Sequence, residues 1–230
     1  MPTTKRIVCL ANSRKMSGRC VAGREVRPLG PGTWIRPVST RPNEEVSEYE
    51  RQYENGSEPR VLDIVDVPVT RHHPHACQTE NWILDPDYYW TFFDRIDWVE
   101  LQRYVESPPT LWTNGNSTKH GTNDAIFLAR ANALPNSLVL IHVATLELRV
   151  FAPGAAYGNE KRRVQASFSY RGISYALWIT DPVIELEYLA QRNGTYEGGE
   201  GCLCVSLGEP FQSCRYKLVA AVVLREGIQP

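Results

Sequence analysis

The 230-residue sequence has no apolar run long enough to cross a membrane as a helix, its most apolar stretches being 138–143 and 218–224, against the about 20 residues a span requires. No secretory leader is expected either. Lys5, Arg6, Arg14, Lys15 and Arg19 crowd the start, with no signal-type apolar core among them, so the expectation is a cytoplasmic protein that does not engage a membrane. Cysteine is sparse. Its six copies, at 9, 20, 77, 202, 204 and 214, read as small buried hydrophobes rather than disulfides in a reducing compartment. There is no Walker loop, dinucleotide fingerprint or H-E-x-x-H string, and Ser206 lies in Cys-Val-Ser-Leu-Gly rather than in a nucleophile elbow. No cofactor and no catalytic residue are therefore assigned. What is present, 42% hydrophobic and 22% charged residues, is the composition of one large or two small globular domains and excludes disorder, collagen and a disulfide-stapled miniprotein.

The formal net charge of −1 conceals a strong polarity along the chain. Residues 1–41 hold nine Lys/Arg and a single acid, Glu25, whereas residues 42–110 hold five basic and fifteen acidic side chains. A basic block attracts an anionic ligand over a Debye length. Equally, the acidic block can lie beside it and neutralise it.

The order of elements is easiest to read in the second half. Residues 138–151 are apolar and β-branched and end at Pro153-Gly154, which marks a long strand. Residues 164–170 and 173–179 alternate with period two around Arg171-Gly172, which predicts a hairpin with Phe168, Tyr170, Tyr175 and Leu177 inward and Trp178 outward. Asp181-Pro182 then caps a helix stopped by Gly194, and residues 201–207 and 216–225 read as two more strands. The first half repeats the order, with strands at 6–11, 19–26 and 33–38, a helix at 44–53, and strands at 61–69 and 79–84. Five strands with a helix between the third and fourth is the order of an OB-fold barrel. The fold expected is thus mainly β, with two tandem five-stranded OB-like barrels. The N-terminal barrel covers 1–84, a connector of one aromatic-faced helix (85–106) and a polar loop covers 85–124, and the C-terminal barrel covers 125–230.

The residues themselves carry a resemblance. Cys9-Leu-Ala-Asn12-Ser13-Arg14-Lys15 followed by Gly18-Arg19-Cys20-Val-Ala-Gly23, Trp34-Ile-Arg36-Pro37-Val38-Ser39, Gln78-Thr-Glu80-Asn81-Trp82, Cys204-Val-Ser206-Leu-Gly208-Glu209-Pro210-Phe211 and Tyr216-Lys217-Leu-Val-Ala220 together resemble the prokaryotic dual OB-domain family over nearly the whole chain. The resemblance implies two OB units and a role in binding nucleic acid or nucleotides, in the setting of bacterial conflict and defence systems. It implies no established catalytic residue.

OB barrels bind on the face of strands two and three and through the loops joining strands one to two and four to five. On that logic the binding set comprises Asn12, Ser13, Arg14, Lys15 and Arg19 around the first loop, His73 in the second, and Trp34 beside Arg36 on strand three as a stacking platform with a phosphate contact, with Trp178 as a second stacking site. The string His72-His73-x-His75-x-Cys77 contains zinc-type ligands, but adjacent histidines on an extended strand diverge, and no metal is expected there. The expected function is a non-catalytic binding module for single-stranded nucleic acid or a nucleotide. Two other classes stay open: a nucleotide-modifying or hydrolysing enzyme using His120, Asn123 and Asp124 as an acid-base set, and an adaptor that reads a protein partner through the acidic 42–110 segment.

Overall fold

The structure, a computed structural model, describes residues 3–227. Apolar alternation starts the first strand, β1 (Thr3–Lys15), which turns through Met16 and Ser17 into β2 (Gly18–Arg27) and then β3 (Gly30–Val38). The loop expected at 12–18 shrinks to two residues. Short polar side chains suggest a loop there, but the ladder runs on through Arg14↔Arg19 and Lys15↔Gly18 to the turn. The helix expected at 44–53 is one turn, α1 (Glu48–Arg51), opened by a capping box between Ser47 and Glu50. Val46 and Tyr53 still reach the core from either side of it. β4 (Asp63–His72) and β5 (Asn81–Leu84) complete the barrel. β1 pairs antiparallel with both β2 and β4, β4 with β5, and the parallel seam Arg36–Val38 against Asn81–Ile83 closes the ring. Ile7, Cys9, Val21, Ile35, Val65, Val67 and Leu84 fill it. Gly23 is required where β2 curls over β1, since a Cβ there would stand 2.1 Å from the Val8 carbonyl oxygen.

The helix expected over 85–106 is absent. In its place Thr91–Arg95 forms β6 on the edge of β4, and only Trp98–Leu101 is α-helical, as α2. The aromatic run has strand propensity as strong as any helical periodicity, and β4 offers it an unpaired edge. Trp90 is the residue that enters the barrel core; of the apolar face expected for that helix, Ile96 and Leu101 are buried, while Tyr89, Phe92, Phe93 and Val99 are exposed.

The second barrel follows the expected elements closely. After β7 (Ala125–Phe127) and α3 (Leu128–Ala131) come β8 (Leu138–Phe151), β9 (Arg163–Tyr170), β10 (Ile173–Ile179), α4 (Pro182–Leu189), β11 (Gly194–Leu207) and β12 (Cys214–Leu224). Asp181 caps α4 through the amides of Val183 and Ile184, and its other oxygen accepts from Val222 N. Burial pushes its carboxyl above the usual range. Phe168, Tyr170, Tyr175 and Leu177 all point inward. β8 pairs with β9 and β11, β11 with β12, and Trp178–Ile179 meets Leu218–Val219 in parallel, which is the connectivity of the first barrel repeated.

The chain divides into two compact units. The first takes in the described residues to Tyr104 together with Pro135–Ser137, and the second takes in Val105–Leu134 and the described residues from Leu138 onward. The first unit thus extends past residue 84 to include β6 and α2. None of the six cysteines is in a disulfide, and five of them are buried. No helix among the described residues is long and apolar enough to cross a membrane.

Within the first unit, Pro135–Ser137 is bound by a buried polar cluster. An Arg36 guanidinium nitrogen lies 2.9 Å from Glu80 Oε1 and donates to Ser137 Oγ at 2.8 Å, and the Ser137 hydroxyl donates to Glu80. Each of the three is at most 5% exposed. Removing one member of such a pair leaves an uncompensated buried charge, which typically costs about 3–5 kcal/mol. Glu80→Ala is expected to destabilise the first unit by about that much in urea unfolding, and Arg36→Met with Glu80→Leu to recover most of the loss.

Candidate functional site

The outer face of the second barrel is built by strand alternation. Leu146, Leu148 and Val150 of β8, Val164 and Ala166 of β9, and Leu177 and Ile179 of β10 are core. Their neighbours Arg149, Phe151, Arg163, Gln165 and Trp178 therefore face out. The register sets Phe151 opposite Arg163, and both Arg149 and Trp178 opposite Gln165. These side chains meet in a layered group. Phe151 and Trp178 stack with centroids 5.5 Å apart and 29° between planes. The Arg149 guanidinium sits 4.4 Å over Phe151, and that of Arg163 sits 4.0 Å over Trp178. Phe151, Arg163 and Trp178 are half-buried and Arg149 is exposed, so the platform is both anchored and open.

A loop borders this platform. Thr122 exchanges backbone hydrogen bonds with Ala176, and Lys217 N donates to Asp124 O at 2.8 Å, so residues 122–124 fill the gap between β10 and β12. Gln165 Nε2 donates to His120 O at 2.6 Å, and the His120 ring packs on Phe151 at 5.8 Å. Lys119 lies beside Tyr157, its amine 3.1 Å from the hydroxyl.

Of the expected acid-base set His120, Asn123 and Asp124, the last two hold the loop itself. Asp124 accepts from Thr118 N at 2.8 Å and Thr118 Oγ1 at 2.6 Å, and Asn123 bridges Gly115 N and Ser174 O. A Cβ on Gly121 would stand 1.9 Å from an Asp124 oxygen, so glycine is required for that approach. Beneath the loop Lys217, 1% exposed, donates to Thr113 O at 2.7 Å and Asn114 Oδ1 at 3.0 Å. Burial pulls its amine down to about 8, opposed by the nearby Asp124 carboxylate.

The residues expected in the first barrel fall differently. Trp34 and Arg36 are 9% and 3% exposed, which corrects the expectation that they form an open platform. Val8 and Leu10 on β1 and Ala22 on β2 are buried too, and Arg36 is committed to Glu80 and Ser137, so neither face of β3 is free for a base. Arg14 and Arg19 stand directly opposite each other at the tip of the β1–β2 hairpin, next to Lys15. Asn12 donates to Pro59 O, and Ser13 is buried with its hydroxyl donating to Cys20 O. His73 pairs with Glu44 at 3.5 Å, while His72 turns to Thr79 O. Arg162, in the basic run before β9, holds the end of α4 through Leu189 O, Gln191 O and Asn193. Of the expected stacking residues Trp178 alone faces out. Arg163 belongs to the basic run 161–163 that the sequence shows ahead of the strand expected at 164–170, whereas Arg149 and Phe151 were not among the expected residues, although the alternation that turned Trp178 outward applies equally to them.

The model of the dual OB-containing domain family matches residues 5–222. No curated protein and no solved structure matches the chain.

The buried lysine makes stability depend on pH in a defined direction. With the folded-state amine at about 8 and an unfolded one near its ordinary value of about 10.4, the unfolded chain binds more protons between those two values. Stability should therefore rise with pH through that window, by up to about 3 kcal/mol. Urea unfolding of the wild type and of Lys217→Met across this range checks it. The rise is expected in the wild type and absent from the variant.

Proposed function

The chain belongs to the dual OB-containing domain family, and from that premise we propose that it is a non-catalytic binding module for single-stranded nucleic acid, with the strand lying across the outer face of β8, β9 and β10. β9 and β10 are the second and third strands of their barrel, the face on which OB folds take oligonucleotides. The observation that carries the proposal is the Phe151–Trp178 stack flanked by Arg149 and Arg163. A base offers a π-face to the rings and a backbone offers phosphates to the guanidinium groups, so one ligand satisfies both kinds of side chain. A mononucleotide presents one base and engages only part of the group. Arg14, Lys15 and Arg19 add a cationic surface suited to phosphate. A setting in prokaryotic conflict systems, implied by the resemblance, and the cytoplasmic location expected from the basic first residues suit a module of this kind.

Anisotropy titration of labelled oligonucleotides of about 20 bases, beside mononucleotides, at low and high salt is the test. Affinity for the oligonucleotides should fall steeply with salt as counterions are released. Trp178→Ala is expected to cost about 1–3 kcal/mol of binding with the salt slope almost unchanged, because stacking releases no counterion. Arg14→Ala with Lys15→Ala should weaken every sequence similarly and lower the slope by roughly two. Unchanged affinity in Trp178→Ala would remove this face from the function.

A further inference from the structure

The acidic half of the sequence ends in a surface that the binding face does not use. β6 is the last strand of the first sheet: it pairs with β4, and no described strand pairs with its other edge. All five of its residues are exposed. Around it stand large aromatic side chains that a folded chain normally hides, with Tyr88 and Tyr89 each 51% exposed, Phe92 49% and Phe93 56%. The ladder slips by one residue there, Ile64 facing Asp94 and Val65 facing Phe92, so Phe93 is the extra residue of a bulge. Bulges at sheet edges re-aim a side chain, and this one delivers the Phe93 ring to Arg6, whose guanidinium sits 3.7 Å from its centroid.

Charge narrows what can occupy the edge. Residues 85–100 hold five carboxylates, Asp85, Asp87, Asp94, Asp97 and Glu100, against one cation, Arg95. Arg95 is already bound to Asp63 at 2.6 Å, and Arg6 to Asp66 at 2.7 Å. A second copy would bring the same carboxylates to the edge, and nucleic acid would bring phosphates, so both are repelled. A basic chain is attracted, and Arg6 over Phe93 shows in the molecule itself how a cation seats on one of these rings.

We propose that β6 is a docking edge for an extended, Lys/Arg-rich segment of a partner protein, which adds to the sheet as a further strand. Backbone hydrogen bonds along Thr91–Arg95 hold the segment. Its basic side chains lie against Phe92 and Phe93 among Asp87 and Asp94. This role is separate from the outer face of the second barrel.

The experiment titrates the full chain with three labelled peptides: alternating Lys and Val, alternating Glu and Val, and the Lys/Val peptide N-methylated at alternate amides. The Lys/Val peptide is expected to bind and to slow amide exchange at residues 91–95. The Glu/Val and N-methylated peptides should bind at least about tenfold more weakly. Phe93→Ser with Asp94→Lys should lose the Lys/Val peptide, and Thr91→Lys with Asp94→Lys, which keeps both rings, should weaken it too. Trp178→Ala should leave peptide binding unchanged while impairing oligonucleotide binding. The proposal is overturned by any of three results: equal binding of the N-methylated peptide, which would indicate general charge attraction; no binding of the Lys/Val peptide; or self-association of the chain through β6 seen by sedimentation, which would make a second copy the occupant.

Discussion

Each barrel closes through a parallel seam of only two or three residues, Arg36–Val38 with Asn81–Ile83 in the first and Trp178–Ile179 with Leu218–Val219 in the second. A ring closed so briefly leaves backbone groups exposed beside the seam, and buried backbone groups must find partners. Both units meet the demand with an irregular segment. In the first, Glu80 O accepts from Arg36 N, and Pro135–Ser137 is bound over the same place. In the second, Thr122 and Asp124 bond Ala176 and Lys217. A buried cation then secures each segment, Arg36 through Glu80 and Ser137, and Lys217 through Thr113 and Asn114. Residues with the look of ligand-binding groups are thereby committed to closing the fold.

That commitment separates the two copies in what they expose. On the first barrel the outer side of β1 to β3 carries Val8, Leu10, Ala22, Trp34 and Arg36, all buried. On the second, the corresponding face carries Phe151, Arg163 and Trp178 half-exposed and Arg149 exposed. The same topology thus has its second-and-third-strand face enclosed in one copy and displayed in the other. On the displayed face two stacked rings, Phe151 and Trp178, lie between two guanidinium groups. The first unit presents a different surface, the aromatic and acidic edge at β6. The two exposed surfaces differ in the sign of the charge around them.

Strand alternation, turn residues and capping signals are local properties, so the sequence by itself determined the β-β-β-α-β-β order of both copies, the hairpin at Arg171-Gly172, the Asp181 cap and the outward Trp178. Where a signal was degenerate it failed. The aromatic run at 88–93 satisfies a helical period and a strand propensity alike, and only the unpaired edge of β4 decided for a strand. Tertiary structure alone decided which polar residues face solvent. Trp34 and Arg36 have the composition of a binding platform, but whether strand three is covered depends on residues about a hundred positions away, Ser137 among them, and a local pattern holds no information about that distance. Asn123 and Asp124 likewise look available in sequence and are taken up by their own loop, through Gly115 and Thr118. The period-two pattern identifies a strand's two faces, and long-range packing determines which of them remains open.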